Sequence, residues 1–197
     1  MARSSTIRLA RPADGPALAA IYRPAVEGIT SFEAVAPDGA AMASRVAATL
    51  ARMPWLVCEI GGEAAGYAYA GRHRERDAYR WTAEVSAYVH ATHQRQRVGR
   101  ALYTSLAAVL DLQHFATLVA GIALPNPASV AFHQSMGFTP IGVFRAVGFK
   151  RGRWVDVAWF ERHLATPTVP EEPVSLPALD RAWLSSALAT GLTELRR

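Results

Sequence analysis

The chain has 197 residues, 51% of them apolar and 19% charged, which suits a soluble globular domain with a real core plus an appendage. Its net charge of +5 favours an anionic ligand, but the excess is arginine scattered along the chain (Lys150 is the only lysine), so no nucleic-acid partner is expected. The one cysteine, Cys58, excludes an internal disulfide and fits a reducing cytoplasm; no apolar run is long enough for a bilayer, no signal peptide opens the chain, and six dispersed histidines offer no metal spacing.

In chain order, Thr6–Ala10 alternates as a short strand. Asp14 and Pro16 then start a helix with Leu18, Ile21, Tyr22 and Val26 on its apolar face. Thr30–Ala34 is a loop, and a second helix from about Asp38 to Arg52 is stopped by Pro54. Trp55–Ile60 and Ala64–Ala70 read as a hairpin across Gly61-Gly62. A charged loop, Arg72–Asp77, leads into a strand over Trp81–His90. A basic turn and a helix ending near Asp111 follow, then a strand over Phe115–Ala123 and a short helix from Leu124-Pro125-Asn126-Pro127 through Met136, closed by Gly137. Two strands, Thr139–Ala146 and Arg153–Phe160, flank a turn at Lys150-Arg151-Gly152. The domain is set at residues 1–164. Residues 165–177 are a proline-rich linker outside the core, and 178–197 carry an amphipathic helix with Leu179, Trp183, Leu184, Leu188 and Leu192 on one side.

The stretch between His93 and Tyr103 declares the chemistry. A strand, a basic turn and a helix in that order place several unpaired backbone N–H groups and arginines at a helix N-terminus, which binds anions. By itself such a turn is equally a solvated connection. Several dispersed segments add to it: Pro54–Val57, Gly66–Gly71, Ala78–Glu84, Gln94–Ala101, Leu124–Pro127 and Gly148–Val157. Together, over roughly Ile7 to Leu164, they resemble the GCN5-related N-acetyltransferase (GNAT) superfamily. The likeness is to the phosphinothricin N-acetyltransferase branch, which includes acetyltransferases of methionine sulfone and methionine sulfoximine.

The resemblance implies an α/β (α+β) GNAT fold: a mixed, mostly antiparallel twisted sheet of about seven strands flanked by helices and splayed at the acetyl-CoA site, here with an extra C-terminal helix. It implies acetyl-CoA as co-substrate, no metal, and a homodimer. The superfamily turn is Gln/Arg-x-x-Gly-x-Gly/Ala, so in Gln94-Arg95-Gln96-Arg97-Val98-Gly99 an arginine, Arg97, stands where the first glycine is usual. Arg97 either points outward and adds charge beside the phosphates or crowds the turn.

Acetyl transfer to an amine needs a base for the ammonium proton, stabilisation of the acetyl oxygen and a proton for the departing thiolate. Glu84, a mid-strand carboxylate among aromatic and small residues, is the candidate base; by alternation alone it could equally face solvent. The resemblance assigns the backbone of Ala87, Tyr88 and Val89 to the pantetheine arm and Arg95, Gln96, Arg97, Val98, Gly99 and Arg100 to the pyrophosphate. Asn126 and Ser135 are further cofactor contacts, and His133 the acid for the thiolate. For the acceptor, Arg74 and Arg76 are carboxylate forks beside Asp77 and Tyr79, Phe32 and Glu33 belong to a loop closing over the substrate, and Trp81, Tyr79 and Trp154 could wall the pocket. The first expectation is an N-acetyltransferase of a small amino-acid-like amine. The alternatives are a GNAT enzyme for a peptide, protein or antibiotic amine, and a non-catalytic acyl-CoA-binding module.

Overall fold

A computed structural model describes residues 4–195. The elements are β1 (Ser5–Leu9), α1 (Gly15–Glu27), α2 (Gly39–Leu50), β2 (Trp55–Ile60), β3 (Glu63–Arg72), β4 (Thr82–Val89) and α3 (Val98–Leu112). There follow β5 (Thr117–Ala123), α4 (Pro127–Ser135), β6 (Thr139–Lys150), β7 (Arg153–His163), α5 (Arg181–Thr190) and α6 (Leu192–Leu195). The seven strands form one sheet in the order β1-β2-β3-β4-β5-β7-β6, antiparallel except where β4 meets β5. This is the mixed, mostly antiparallel sheet expected from the sequence.

Period-two alternation divides the core between the two faces of the sheet. Leu56 and Cys58 of β2, Ala83 and Val85 of β4, and Val98, Leu102, Leu106 and Leu110 of α3 pack on one face. Trp55, Val57 and Tyr67 turn to the other, against Leu18, Tyr22 and Val26 of α1 and Met42 and Val46 of α2. The thiol of Cys58 is buried, and desolvation pushes it up to about 11, so it is inert packing. The two tight hairpins follow from residues that tolerate φ > 0: Gly61 and Gly62 have φ of 63° and 86°, Arg151 and Gly152 51° and 74°.

β4 and β5 pair only over Thr82–Glu84 and Thr117–Val119, then separate. That splay opens a cavity in the middle of the sheet. Three strands run further than the pattern suggested: β3 continues to Arg72, β6 to Lys150 across a register irregularity between Phe144 and Gly148, and β7 to His163.

The C-terminal segment differs most from expectation. It is two helices broken at Gly191, both packed on α3. Leu184, Leu188 and Leu192 face that helix, but Trp183 is exposed, so the apolar face is narrower than the sequence indicated. The proline-rich stretch contributes Leu176 to the core, and its backbone is held by Gln113 and Arg52. Two fully buried polar residues, Ser105 of α3 and Gln113 just past its end, serve this segment. Ser105 Oγ donates to the Leu188 carbonyl at 2.7 Å and accepts from the Gly191 amide at 3.1 Å, and Gln113 Nε2 donates to the carbonyls of Arg52 and Val174, both at 2.8 Å.

Candidate active site

The splay is lined on one side by Val85, Ser86, Ala87 and Tyr88 and on the other by Gly121, Ile122 and Ala123, enclosing a cavity of about 200 Å³. Ala87 and Tyr88 also line a second cavity of about 340 Å³ that runs past Val89, His90 and Gln94 towards the basic turn. Beyond Glu84 the β5-facing amides and carbonyls of β4 have no strand partner, which leaves a sheet edge open to an extended ligand.

At the turn, Ala101 N–H closes the first bond of α3 onto the Arg97 carbonyl, at 2.9 Å. The amides of Val98, Gly99 and Arg100 therefore lack an intrahelical acceptor and sit at the positive end of a 15-residue helix. Arg95 and Arg97 both adopt left-handed backbone, φ 61° and 62°, at a cost on the order of 1 kcal/mol each for a residue with a Cβ. The side chains are less available than their charge suggests. Arg97 Nη1 lies 3.4 Å from Glu194 of α6, and Arg100 lies 4.0 Å from the same carboxylate. Arg100 also donates to Ser135 Oγ at 2.9 Å, and Gln96 Nε2 donates to the Thr92 carbonyl. Arg97 thus points outward, to a partner in the C-terminal segment. Ser135 is engaged by Arg100 and the Phe132 carbonyl, not by the splay. Val98 is buried in the core, so only its backbone serves a ligand.

Asn126 caps α4 through its side chain, accepting from the Ser129 amide at 3.1 Å, and lies at the far end of the splay. His133, two α4 turns further on, is buried and lines the same cavity. Its Nδ1 faces the Ser129 carbonyl at 2.8 Å, which can only accept, so Nδ1 carries the proton and Nε2 accepts from Tyr103 O–H at 3.1 Å. Burial lowers the His133 pKa and raises that of Tyr103 well above the ordinary phenol range. Tyr103, on α3, escaped the sequence reading, although its place one turn beyond Gly99 puts it on the helix face turned to the splay.

Glu84 lies on the α1/α2 face of β4, opposite Gly71 of β3, with its side chain 40% exposed. A Cβ built on Gly71 would meet no atom within 4 Å, so the space beside the carboxylate is open. His73 Nδ1 stands 3.5 Å from Glu84 Oε2. By sequence His73 falls in a charged loop; the alternation Tyr67, Tyr69, Gly71, continued one step, places it on the Glu84 face.

The acceptor residues divide. Arg74 lies over the Tyr79 ring at 5.5 Å and donates to His73 Nε2 at 3.3 Å, so both belong to the Glu84 neighbourhood. Arg76 is exposed, and Asp77 turns to Arg72, lining a separate cavity with Arg80 and Glu172. Trp81 also leaves the pocket: its indole donates to the Glu171 carbonyl and Arg80 stacks on it at 3.9 Å. Trp154 is 65% exposed, against Phe149.

Phe32 covers Gly148 so closely that a Cβ there would collide with the ring. Glu33 is held by its neighbours. Arg45 holds it through two hydrogen bonds (2.7 and 2.9 Å), Tyr22 O–H donates at 3.0 Å, and the Arg45 guanidinium keeps its pKa below the ordinary carboxylate range. Lys150 Nζ ties the same loop down through the carbonyls of Val26, Ser31 and Glu33. Among the described residues no group of His, Cys, Asp and Glu is placed to hold a metal, and no helix is long and apolar enough to cross a membrane.

Residues 7–159 match the model of the acetyltransferase (GNAT) domain. The chain belongs to the GNAT family. This acetyltransferase is 42% identical over 171 residues to phosphinothricin N-acetyltransferase of Alcaligenes faecalis, covering 84% of this chain and 87% of that one. It is 37% identical to L-methionine sulfoximine/L-methionine sulfone acetyltransferase of Salmonella typhimurium, covering 84% and 98%. Among solved structures, a GNAT superfamily phosphinothricin acetyltransferase from Sinorhizobium meliloti in complex with AcCoA superposes with a TM-score of 0.81 at 34% identity, over 91% of this chain and 98% of that one. The family match ends before α5 and α6, so Glu194, the partner of Arg97, lies outside it.

Proposed function

We propose that the protein transfers acetyl from acetyl-CoA to the α-amino group of a small amino-acid-like acceptor of the phosphinothricin, methionine sulfone or methionine sulfoximine type, with Glu84 as general base. The observation that carries this reading is the end of β4–β5 pairing at Glu84. One strand thereby presents a carboxylate and, within five residues, an unpaired backbone edge. Acetyl-CoA fits the splay: the β4 edge at Ala87–Val89 suits the amides of a pantetheine arm, and the free amides of Val98, Gly99 and Arg100 suit a diphosphate. When bound it supplies an activated acetyl thioester.

The chain's own residues then divide the work. Glu84 takes the ammonium proton, directly or through one water, leaving a neutral amine beside the open space at Gly71. A backbone N–H of the β4 edge would serve as a fixed donor to the acetyl oxygen. The Tyr103–His133 pair forms the polar end of the cavity; the Tyr103 hydroxyl, whose own proton burial holds tightly, would hydrogen-bond the departing thiolate, which would take its proton from water as the product leaves. The site we assign to the cytoplasm, in keeping with one buried unpaired thiol.

Thiol release from acetyl-CoA with a panel of amino acids tests the reading. Turnover with methionine sulfone, methionine sulfoximine or phosphinothricin is expected; no turnover with any small acceptor would sink it. A second reading, a peptide or protein amine, draws on Arg76 being exposed and Asp77 pairing with Arg72, and turnover with peptides alone would favour it. We also propose a homodimer through β6, where Ile141, Val143, Phe144, Val147 and Phe149 are all exposed, beyond what isolated surface apolar residues require. Light scattering at micromolar concentration should give twice the chain mass of 21.3 kDa; a monomer mass counts against it.

A further inference from the structure

We infer that His73 is a positioning residue for the base: its imidazole donates the Nδ1 proton to Glu84, fixing the carboxylate towards the open space at Gly71. The inference rests on the reading of Glu84 as general base.

Three observations fix the ring. First, His73 follows the last residue of β3, and the register that sets Gly71 opposite Glu84 brings it over the carboxylate, with Nδ1 3.5 Å from Oε2. Such contacts are often long before substrate binds. Second, the ring cannot swing freely. Its side chain is 15% exposed and lies edge-on between Trp159, 5.6 Å away at 71°, and Tyr79, 5.9 Å away at 75°. Third, Arg74 Nε points at His73 Nε2 from 3.3 Å. A guanidinium has donors only, so Nε2 must offer its lone pair and the proton of the neutral ring sits on Nδ1, facing Glu84.

An N–H on Nε2 would point at the Arg74 cation and lose the bond that Arg74 donates. The groups facing the pair from its neighbours are Arg74 and Tyr79 of the loop, Tyr69 of β3, and the uncharged indole of Trp159 from β7. Without the Nδ1 donor the carboxylate is free to rotate away from the open space at Gly71, and fewer molecules hold it where it meets the ammonium group.

The test is kcat/KM for the acceptor, with KM for acetyl-CoA beside it, in wild type, His73→Phe, His73→Asn and Glu84→Gln. Phenylalanine keeps the packing on Trp159 and Tyr79 but donates nothing, while the asparagine amide restores a donor. With His73→Phe, kcat/KM for the acceptor should fall roughly tenfold, with KM for acetyl-CoA unchanged. His73→Asn should bring most of that back. A His73→Phe enzyme as active as wild type, or an asparagine variant no better than phenylalanine, overturns the inference. Glu84→Gln separates the two claims: if it keeps full turnover, the base reading fails and this inference with it. If it loses turnover while His73→Phe does not, only the inference fails. Long-range ¹H–¹⁵N NMR of the ligand-free wild type gives a reading without activity: the Nδ1–H tautomer of His73 is expected, and the Nε2–H tautomer contradicts it.

Discussion

The two ends of β4 are built on opposite principles. At Glu84 the side chains face the open space and carry the proposed chemistry, held by neighbours such as His73 and Arg74. At the far end, where the chain turns into α3, several side chains are engaged with each other and with the C-terminal segment: Arg97 and Arg100 with Glu194, Arg100 with Ser135, and Gln96 with its own turn. What that end offers a ligand is backbone. A cluster of arginines in a sequence reads as a side-chain clamp, yet here the fold spends much of their charge on internal contacts.

The contrast is sharpest in the variants it separates. Glu84→Gln should lower kcat by on the order of 100-fold or more, the scale of general-base loss, while thermal stability and CoA affinity by calorimetry stay near wild type. A kcat within a few-fold of wild type would break the account of that end. At the other end the packing of the tail comes first. Gly191 sits where an added Cβ would run into the Ala101 carbonyl and Ser105 Oγ, so Gly191→Ala should destabilise by about 2 kcal/mol in urea unfolding, with kcat per folded molecule little changed. An unchanged urea midpoint would mean that the α5–α6 corner is not seated on α3 in this way.

Arg97→Gly should be nearly silent. It removes a left-handed Cβ penalty of about 1 kcal/mol and loses a half-exposed ion pair contributing about 0.5 kcal/mol. Stability should therefore move by less than about 1 kcal/mol, and CoA affinity by no more than about threefold if backbone amides carry the diphosphate. A tenfold weaker affinity would restore the side-chain clamp.

The smallest effect is in acid. His133 has its pKa depressed by burial, so its share of stability is complete above the unfolded value of about 6.5 and declines as pH falls below it. Glu33 beside Arg45, and Asp14 and Glu59 beside Arg8, are depressed by hydrogen bonds from their arginines. Their share is present above about pH 4.5 and is lost as pH drops through the lowered folded values. Urea midpoints should decline in two stages on acidification, the first of them absent in His133→Phe.

Much of this was legible from residues alone. The hairpin at Gly61-Gly62, the strand–turn–helix at 81–111 and the cap at Asn126 follow from local rules, since turn chemistry and periodicity act within a few residues. The family resemblance supplied Glu84 and the cofactor turn. What escaped was set by tertiary partners. His73 gains its place from one more step of β3 alternation, hidden by a loop-like run of charges. Tyr103 reads as an ordinary core residue until α4 brings His133 to its hydroxyl. Glu33, Asp77 and Trp81 read as pocket residues because they flank the right loops, but Arg45, Arg72 and the proline-rich segment had partners for them that no local pattern records.

A crystal structure with coenzyme A and methionine sulfone tests the central claim most directly. The pantetheine arm should run along the β4 edge at Ala87–Val89, with the acceptor nitrogen about 3 Å from Glu84 or one water away from it. An acceptor whose amine lies elsewhere, with Glu84 turned to solvent, would contradict the assignment of Glu84 as the base.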